Sequence, residues 1–323
     1  MPRLFRFSVQ AFQATSAAEW TDTARQAEDL GYSTLFTTDH YFGPGEIAEQ
    51  SGHRPVDVAP LVACMAAAAA TTALRVGCRV FCVDYHQPVV LAKELATLDL
   101  LSGGRLEVGL GAGWVAAEYE GLGIAMDRPG VRIARLAQVA DLLKQYWGGE
   151  PLDFDAEYVH ASGFAGRPRP VQQPHPPILI GGGAPKVLRL AGAVADIVSI
   201  NFNNAAGKLG ASSVAGSAAD ATMQKIEWIR QGAAERFDDI ELELGAYFIA
   251  VRDDYRSAAD AMAHRFGIPT PELLDHPHAL LGSLDAVCDR LQRLRDTFGI
   301  SYINVAQRNM AEFAPVVARL TGT

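Results

Sequence analysis

Short runs of apolar and β-branched residues alternate with helical segments along nearly the whole chain, and this alternation limits the possible folds more than any other feature. Eight runs predict β-strands, and they cover residues 4–10, 33–39, 74–83, 105–111, 176–182, 196–202, 240–251 and 301–306. The segment 17–31 is typical of the intervening helices, since one face carries Trp20, Ala24, Ala27 and Leu30, with Gly31 as a C-cap. Eight strands interleaved with helices favour an α/β fold of the (β/α)8 TIM-barrel type over a doubly wound sheet.

The length of the chain agrees with a barrel that carries insertions. It has 323 residues, whereas about 250 are typical of such a barrel. Residues 148–177 are rich in proline and glycine, and residues 203–220 have a flexible composition. Neither change in composition is large enough to mark a second domain, so we expect one domain over residues 1–323.

Composition excludes several classes of function. The net charge is −9, so the sequence offers no basic surface for nucleic acid or an anionic membrane. The four cysteines and the histidines have no zinc-ligand spacing, and we therefore expect no metal. Cys78 and Cys82 would lie roughly 13 Å apart along a regular strand at ~3.3 Å per residue, too far for a disulfide.

The two candidate targeting segments are both better explained by the fold. The first strand begins almost at the N-terminus, which leaves no room for a signal peptide. The longest apolar run, residues 58–76, is alanine-rich and interrupted by Thr71 and Thr72, so it is too short to cross a bilayer. We expect a cytoplasmic protein.

The stretch "RLEVGLGAGW" (105–114) resembles a dinucleotide-binding loop, but the spacing of its glycines does not match that motif. Trp114 stands where the Rossmann pattern needs its third glycine, and no lysine follows at P-loop spacing. Glycines at a barrel rim would let a flat ring approach the backbone, with Trp114 as a wall or stacking partner. A loosely packed strand end is the alternative.

Asp39 and His40 follow the second predicted strand, at the end of a barrel where catalytic groups gather. A histidine there can act as general acid or base near neutral pH. Equally, Asp39 could cap the next loop and His40 could be a surface imidazole. The other histidines are mostly in loops or beside prolines, which indicates surface residues; these are His53, His86, His160, His175, His264, His276 and His278.

Three consecutive glycines, Gly181, Gly182 and Gly183, separate the fifth predicted strand from a helix. Exposed backbone N–H groups and a helix N-terminus would form a cradle for a phosphate. Lys186 or Arg189 could add positive charge, unless the helical phase turns it outward. A tight turn is the alternative, but three glycines exceed what a turn needs.

Taken together, these segments resemble the bacterial luciferase-like monooxygenase superfamily over nearly the whole chain. The resemblance is closest to the actinobacterial oxidoreductases that depend on the deazaflavin coenzyme F420. It rests on "TTDHY", "HQPVVLAKELATLDLLSGGRLEVGLGAGW", "AEY", "RPRPVQQPHPPILIGGGAPKVLRLAG", "ADIVSIN" and "GISYINVAQRNMAEFAPVVARL". The resemblance is specific for the superfamily and much less so for the choice between F420 and FMN.

The resemblance implies a set of site residues. It implies a non-proline cis peptide near Arg79–Val80 behind a flavin-like ring, glycines below the ring and a phosphate at the triple glycine. His40 would donate or remove the substrate proton, while Asp39 would orient His40 or hydrogen-bond the ring. The cofactor-binding residues implied are Asp39, Arg79, Val80, Cys82, Ala112, Gly113, Trp114, Gly181, Gly182 and Gly183.

The resulting prediction is an F420-dependent oxidoreductase that exchanges a hydride with a small organic substrate. One alternative is an FMN-dependent monooxygenase that uses O2 and a partner flavin reductase. Another is a flavin-binding accessory protein without turnover. The sugar-phosphate dehydrogenase branch has a glutamate where this chain has Trp114, which argues for an apolar or aromatic substrate pocket.

Relatives are commonly dimers, and the alanine-rich helix at 59–73 could form a homodimer interface or could simply be part of the core.

Overall fold

A closed barrel of eight parallel strands forms the centre of the computed structural model, which describes residues 3–203, 213–214 and 216–323. Around the barrel the strand order is β1–β12–β9–β8–β7–β4–β3–β2, and every neighbouring pair is parallel. The strands are β1 (Arg6–Gln10), β2 (Thr34–Thr37), β3 (Arg75–Cys82), β4 (Leu106–Gly111), β5 (Pro151–Asp155), β6 (His160–Ala165), β7 (Ile178–Gly182), β8 (Ile197–Ile200), β9 (Glu241–Ala246), β10 (Phe248–Val251), β11 (Ala279–Gly282) and β12 (Ile300–Ala306).

Helices surround the barrel and connect its strands. Four of them, α3, α4, α6 and α7, begin with a proline, whose fixed φ and missing N–H suit the first helical position. The α-helices of the described residues are α1 (Ala17–Asp29), α2 (Glu46–Ser51), α3 (Pro60–Ala70), α4 (Pro88–Leu101), α5 (Ala116–Gly121), α6 (Pro129–Gly148), α7 (Pro185–Val194), α8 (Ala219–Ala233), α9 (Tyr255–Phe266), α10 (Thr270–Asp275), α11 (Leu284–Phe298) and α12 (Met310–Leu320).

The predicted (β/α)8 barrel is confirmed, and seven of the eight predicted strands correspond to single barrel strands. The run 240–251 was predicted as one strand but forms two, because the chain leaves the barrel at Tyr247. The Tyr247 amide donates to the carbonyl of His278, and β10 then pairs with β11 outside the barrel. The insertion at 148–177 contains the β5–β6 hairpin. Most of the insertion predicted at 203–220 lies outside the described residues.

The interior of the barrel is layered, with charge at two levels and apolar side chains between them. At the N-terminal end of the strands, Arg6 forms ion pairs with Glu107 and Glu241 at 2.5 Å each. Above them lies an apolar layer that contains Phe36, Leu179, Ile197 and Tyr302. Nearer the C-terminal end, Arg79 forms a buried ion pair with Glu243. The second charged level lies directly beneath the loops that carry the candidate site.

β3 and β4 approach each other unusually closely where β3 has an irregular register between Cys78 and Phe81. A Cβ atom at Gly109 would lie 2.1 Å from the Cys78 carbonyl oxygen, and one at Gly111 would lie 2.5 Å from Val80 Cγ2. The peptide bond between Arg79 and Val80 is cis, at the position that the family resemblance implied. Glycine is therefore required in β4 because the bulge in β3 occupies the space of a side chain.

No α-helix among the described residues combines the length and the apolar character that a bilayer span requires. The alanine-rich α3 instead packs much of its surface into the molecule, since Ala63, Cys64, Ala67 and Ala68 are buried.

Replacing Gly109 with alanine should destabilise the barrel strongly. The added methyl group meets a backbone carbonyl that cannot move without shifting β3. We expect the free energy of unfolding of G109A to fall by about 3 kcal/mol or more, measured by urea denaturation. G43A is the matched control because no heavy atom lies within 4 Å of its new methyl group. Equal stability of G109A and the wild type would contradict the close approach of β3 and β4.

Candidate active site

Asp39 and His40 follow β2 directly, yet their side chains have different partners. Asp39 is buried, and its Oδ2 accepts hydrogen bonds from the Cys82 amide and from His86 Nε2, both at 2.8 Å. Its other oxygen, Oδ1, is buried and accepts no hydrogen bond of normal geometry, although the Tyr41 hydroxyl lies close enough to interact with this carboxylate. Asp39 thus connects the end of β2 to the end of β3 by a hydrogen bond, and its Oδ1 atom remains available as an acceptor.

His40 is held by a carboxylate from another part of the chain. His40 Nδ1 lies 2.6 Å from Glu118 Oε2, and because a carboxylate only accepts, Nδ1 must carry the proton. Glu118 is buried in α5 and also accepts from the Tyr41 amide at 2.7 Å. No other hydrogen bond to His40 occurs among residues 3–203, 213–214 and 216–323, so Nε2 is available to a substrate.

Aromatic rings surround the His40 imidazole. Trp114 meets it edge-on with ring centroids 5.9 Å apart, and His53 lies at 4.7 Å. Phe42 contacts both histidine rings, and Phe12 contacts His53. Burial, with the nearby charge of His40, lowers the pKa of His53 to about 4. His53 is therefore neutral near pH 7 and adds a flat, uncharged face to this wall.

Two residues of this arrangement escaped the sequence analysis. Glu118 lies 78 residues from His40, and its only sequence signal is the segment "AEY" within the family resemblance. His86, predicted as a surface histidine, pairs with Asp39 instead. The surface prediction was also wrong for His276 and His278, which are 4% and 0% exposed. Both pack around Phe202 in a separate aromatic cluster.

Arg79 points its side chain into the barrel. Its guanidinium pairs with Glu243 and also donates to Ser199 Oγ at 2.9 Å and Asn201 Oδ1 at 2.7 Å. These partners occupy its hydrogen-bonding groups with protein atoms. Any cofactor contact at Arg79 would therefore be made by its backbone, whose carbonyl already accepts from Gln10 Nε2 at 2.9 Å. Val80 lies beside Gly111 and Gly181, each of which has the Val80 side chain near its missing Cβ.

Cys82, Ala112 and Gly113 form one connected edge of the site. The Cys82 thiol lies 3.2 Å from the Tyr119 hydroxyl, which donates to Asp84 at 2.8 Å. Burial raises the pKa of Cys82 to about 12, so this sulfur is a protonated thiol rather than a nucleophile. Gly113 has a positive φ of 70°, and a Cβ there would collide with the Tyr119 hydroxyl.

The carbonyls of this edge are fixed from outside the barrel. Arg132 on α6 donates to the carbonyl of Ala112 at 2.7 Å and to that of Gly113 at 2.5 Å. The loop from β4 to α5 is therefore held in place by Arg132. It places Trp114 beside His40 and leads directly into α5, which carries Glu118.

The triple glycine is explained partly by packing. A Cβ at Gly182 would lie 2.4 Å from Val187, and one at Gly183 would lie 2.4 Å from the Phe202 carbonyl oxygen. The helix that follows, α7, has no side-chain cap at its N-terminus. Arg189 is turned away, since it donates to Gln231 on α8, and Lys186 is exposed. Any anion bound here would be held by backbone N–H groups.

A flavin-like cofactor fits the chemistry of these groups. The uncapped N-terminus of α7 beside the glycines suits a phosphate. Asp39 Oδ1 is a buried acceptor without a partner, which suits an N–H or O–H group of a bound ring. These features are common to FMN and F420 and do not separate them. No metal-binding cluster of three or more His, Cys, Asp or Glu occurs in the part of the chain that the structure describes.

Known proteins are similar to this chain in sequence and in fold. Residues 4–316 match the model of the luciferase-like monooxygenase family. An F420-dependent glucose-6-phosphate dehydrogenase of Nakamurella multipartita is 31% identical over 196 residues, 60% of this chain and 56% of that protein. An FMNH2-dependent dimethylsulfone monooxygenase of Pseudomonas putida is 26% identical over 188 residues, 58% of this chain and 48% of that protein.

The matched part of this chain thus spans about half the length of these curated relatives. Among solved structures, the F420-dependent tetrahydromethanopterin reductase of Methanopyrus kandleri superposes with a TM-score of 0.74. That likeness covers 99% of this chain and 100% of the reductase at 19% identity, which makes it evidence for the fold alone. With the family match over residues 4–316, this chain belongs to the luciferase-like monooxygenase family.

Proposed function

We propose that this chain is an oxidoreductase that uses coenzyme F420 to exchange a hydride with a small organic substrate. The observation that carries the proposal is the state of His40. Its Nδ1 is bonded to a buried carboxylate, its Nε2 is free of protein partners, and it lies at the C-terminal end of the barrel beside Trp114. A general acid–base imidazole is held in this way in many enzymes.

The cofactor would be held by the residues that the fold brings to this end of the barrel. Gly181, Gly182 and Gly183, with the N-terminus of α7, would bind its phosphate. Val80 would lie behind the ring, and Asp39 Oδ1 would accept a hydrogen bond from it. Cys82, Ala112, Gly113 and Trp114 would complete the ring pocket. When bound, F420 would supply a hydride donor or acceptor that works in two-electron steps.

His40 would manage the proton that accompanies hydride transfer. In reduction of a carbonyl or imine, protonated Nε2 gives its proton to the substrate heteroatom. In the reverse direction, neutral Nε2 removes that proton. Either step needs an Nε2 atom without a protein partner, and the Glu118 carboxylate would lie beside the positive charge of the imidazole when both ring nitrogens are protonated.

The surroundings of His40 favour a substrate with an apolar or aromatic part. Phe12, Phe42, His53 and Trp114 form a connected set of rings around it. His53 adds no charge near pH 7 because burial keeps it neutral. Such a wall offers no cation to a substrate phosphate, which agrees with the presence of Trp114 where the sugar-phosphate branch has a glutamate.

A second candidate is an FMN-dependent monooxygenase that uses O2 and a partner reductase. The Pseudomonas putida relative supports it, and the phosphate and ring groups of the site fit FMN equally well. A non-catalytic flavin-binding protein is less well supported, because it would have no use for a buried carboxylate that holds a histidine with a free nitrogen.

We also propose a homodimer formed through α3 and α4. Val62 on α3 is 75% exposed, and α4 exposes Val90 and Leu101 at 53% and 63%. The two helices pack side by side, and their exposed apolar side chains are of the kind that a subunit interface buries. The inward face of α3 is core, so under this proposal only its outward face would contribute to the subunit interface.

Direct titration should separate the two cofactors. We expect purified protein to bind F420 at least about tenfold more tightly than FMN, a difference of about 1.4 kcal/mol. The measurement is the change in fluorescence of each cofactor as protein is added. Tighter binding of FMN would overturn the F420 proposal and favour the monooxygenase. Binding of neither would overturn both enzymatic proposals.

Replacing His40 should remove turnover without removing the cofactor. We expect H40N to lose about 10²–10⁴-fold in kcat, since general acid–base catalysis contributes that much, while its affinity for F420 stays unchanged. The assay is reoxidation of reduced F420 with a panel of apolar ketones, enones and imines. H264N, at an exposed position of α9, is the matched control. Full turnover by H40N would exclude the proton-transfer role.

A further inference from the structure

We propose that Glu118 is the positioning residue for His40, fixing both the tautomer and the orientation of the imidazole for proton transfer through Nε2. The proposal rests on the function proposed above, since His40 is the group that would move the proton. Its basis is the hydrogen bond of 2.6 Å between His40 Nδ1 and Glu118 Oε2.

Glu118 is itself firmly held. It is 1% exposed, and each of its two oxygens accepts a hydrogen bond from a residue other than His40. Oε1 accepts from the Tyr41 amide at 2.7 Å, and Oε2 accepts from the Tyr85 hydroxyl at 3.2 Å as well as from His40. Burial raises the pKa of Tyr85, which keeps its hydroxyl protonated and able to donate. The carboxylate therefore has a defined place from which to orient His40.

Other nearby groups cannot take this role in the arrangement observed. Asp39 is the sequence neighbour of His40, but its Oδ2 accepts from Cys82 and His86, and its Oδ1 makes no hydrogen bond with His40. The nearest ring, His53, directs Nδ1 to the Arg54 carbonyl at 2.7 Å. Trp114 and Phe42 contact His40 only through their rings. Among the residues that the structure describes, Glu118 is thus the hydrogen-bond partner of His40.

The hydrogen bond determines which nitrogen reacts. An imidazole that donates from Nδ1 to a carboxylate leaves its Nε2 lone pair free as a base, or its Nε2–H free as an acid once protonated. Without the carboxylate, a neutral histidine can place its proton on either nitrogen and rotate. We therefore expect loss of Glu118 to reduce the fraction of His40 in the reactive tautomer.

The first test observes the tautomer without any cofactor. Protein labelled with ¹⁵N-histidine is examined by NMR, and the His40 signals are assigned as those absent from H40N. We expect the wild type to show the Nδ1–H tautomer and E118Q to show a mixture or the other form. E120Q is the matched control, because Glu120 is exposed on the same helix. Unchanged His40 signals in E118Q would overturn the proposal.

The second test separates positioning from general damage to the fold. E118Q should lose about 10–100-fold in kcat with little change in KM, as supporting groups of this kind do. In an H40N background the same substitution should cost almost nothing, because the two residues act as one unit. Equal losses in both backgrounds would overturn the positioning role.

A further variant covers poor folding of E118Q. E118D keeps the charge, but its side chain is one methylene shorter and cannot reach both His40 and the Tyr41 amide as Glu118 does. We therefore expect E118D to have a reduced kcat and a changed His40 tautomer. Normal kcat and tautomer in folded E118D would overturn the proposal. Full turnover by H40N would instead overturn the proposed proton transfer by His40. The NMR experiment would still show independently whether Glu118 fixes the His40 tautomer.

Discussion

The close approach of β3 to β4 determines the shape of the candidate site. Gly109 leaves no room for even a methyl group against the Cys78 carbonyl, and the irregular stretch of β3 follows immediately. That stretch sends Arg79 into the barrel and places Val80 against the glycines of β4 and β7. It also brings the Cys82 amide to the Asp39 carboxylate. A backbone constraint at one strand pair thereby sets the positions of groups from several loops.

The charged layers inside the barrel serve a different purpose from an apolar core. Removing one partner of a buried ion pair typically costs about 3–5 kcal/mol, although the intact pair contributes little net stability. Arg79 and Glu243 are therefore better understood as fixing one arrangement of β3, β8 and β9 than as a source of stability. The Arg79 guanidinium also donates to Asn201, which accepts from the Tyr247 hydroxyl as well. The hydrogen-bond network around Arg79 therefore extends to the residues that follow β8 and β9.

The alternation of strands and helices was enough to predict the barrel, because burial and β-propensity act locally along the chain. The break at Tyr247 was not predictable, since strand-forming residues continue on both sides of it and the pairing with β11 is nonlocal. The pair "DH" pointed to this end of the barrel as a candidate site but gave no indication of the hydrogen-bond partners of either residue. Adjacent side chains at a strand end point in different directions. Asp39 therefore forms a hydrogen bond with His86, whereas His40 forms one with Glu118. The pairing of His40 with Glu118 depends on where α5 packs against the barrel, and this position cannot be predicted from the local sequence.

The anchoring of His40 separates a fixed part of the candidate site from a part that is free to vary. Its carboxylate partner comes from the βα unit that follows β4, while the loop after β2 is held to that carboxylate only through its first residues, His40 and Tyr41. Beyond Phe42 that loop is largely exposed as far as Gln50. Residues 43–50 could therefore change in length or composition while the hydrogen bonds from His40 and Tyr41 to Glu118 are kept.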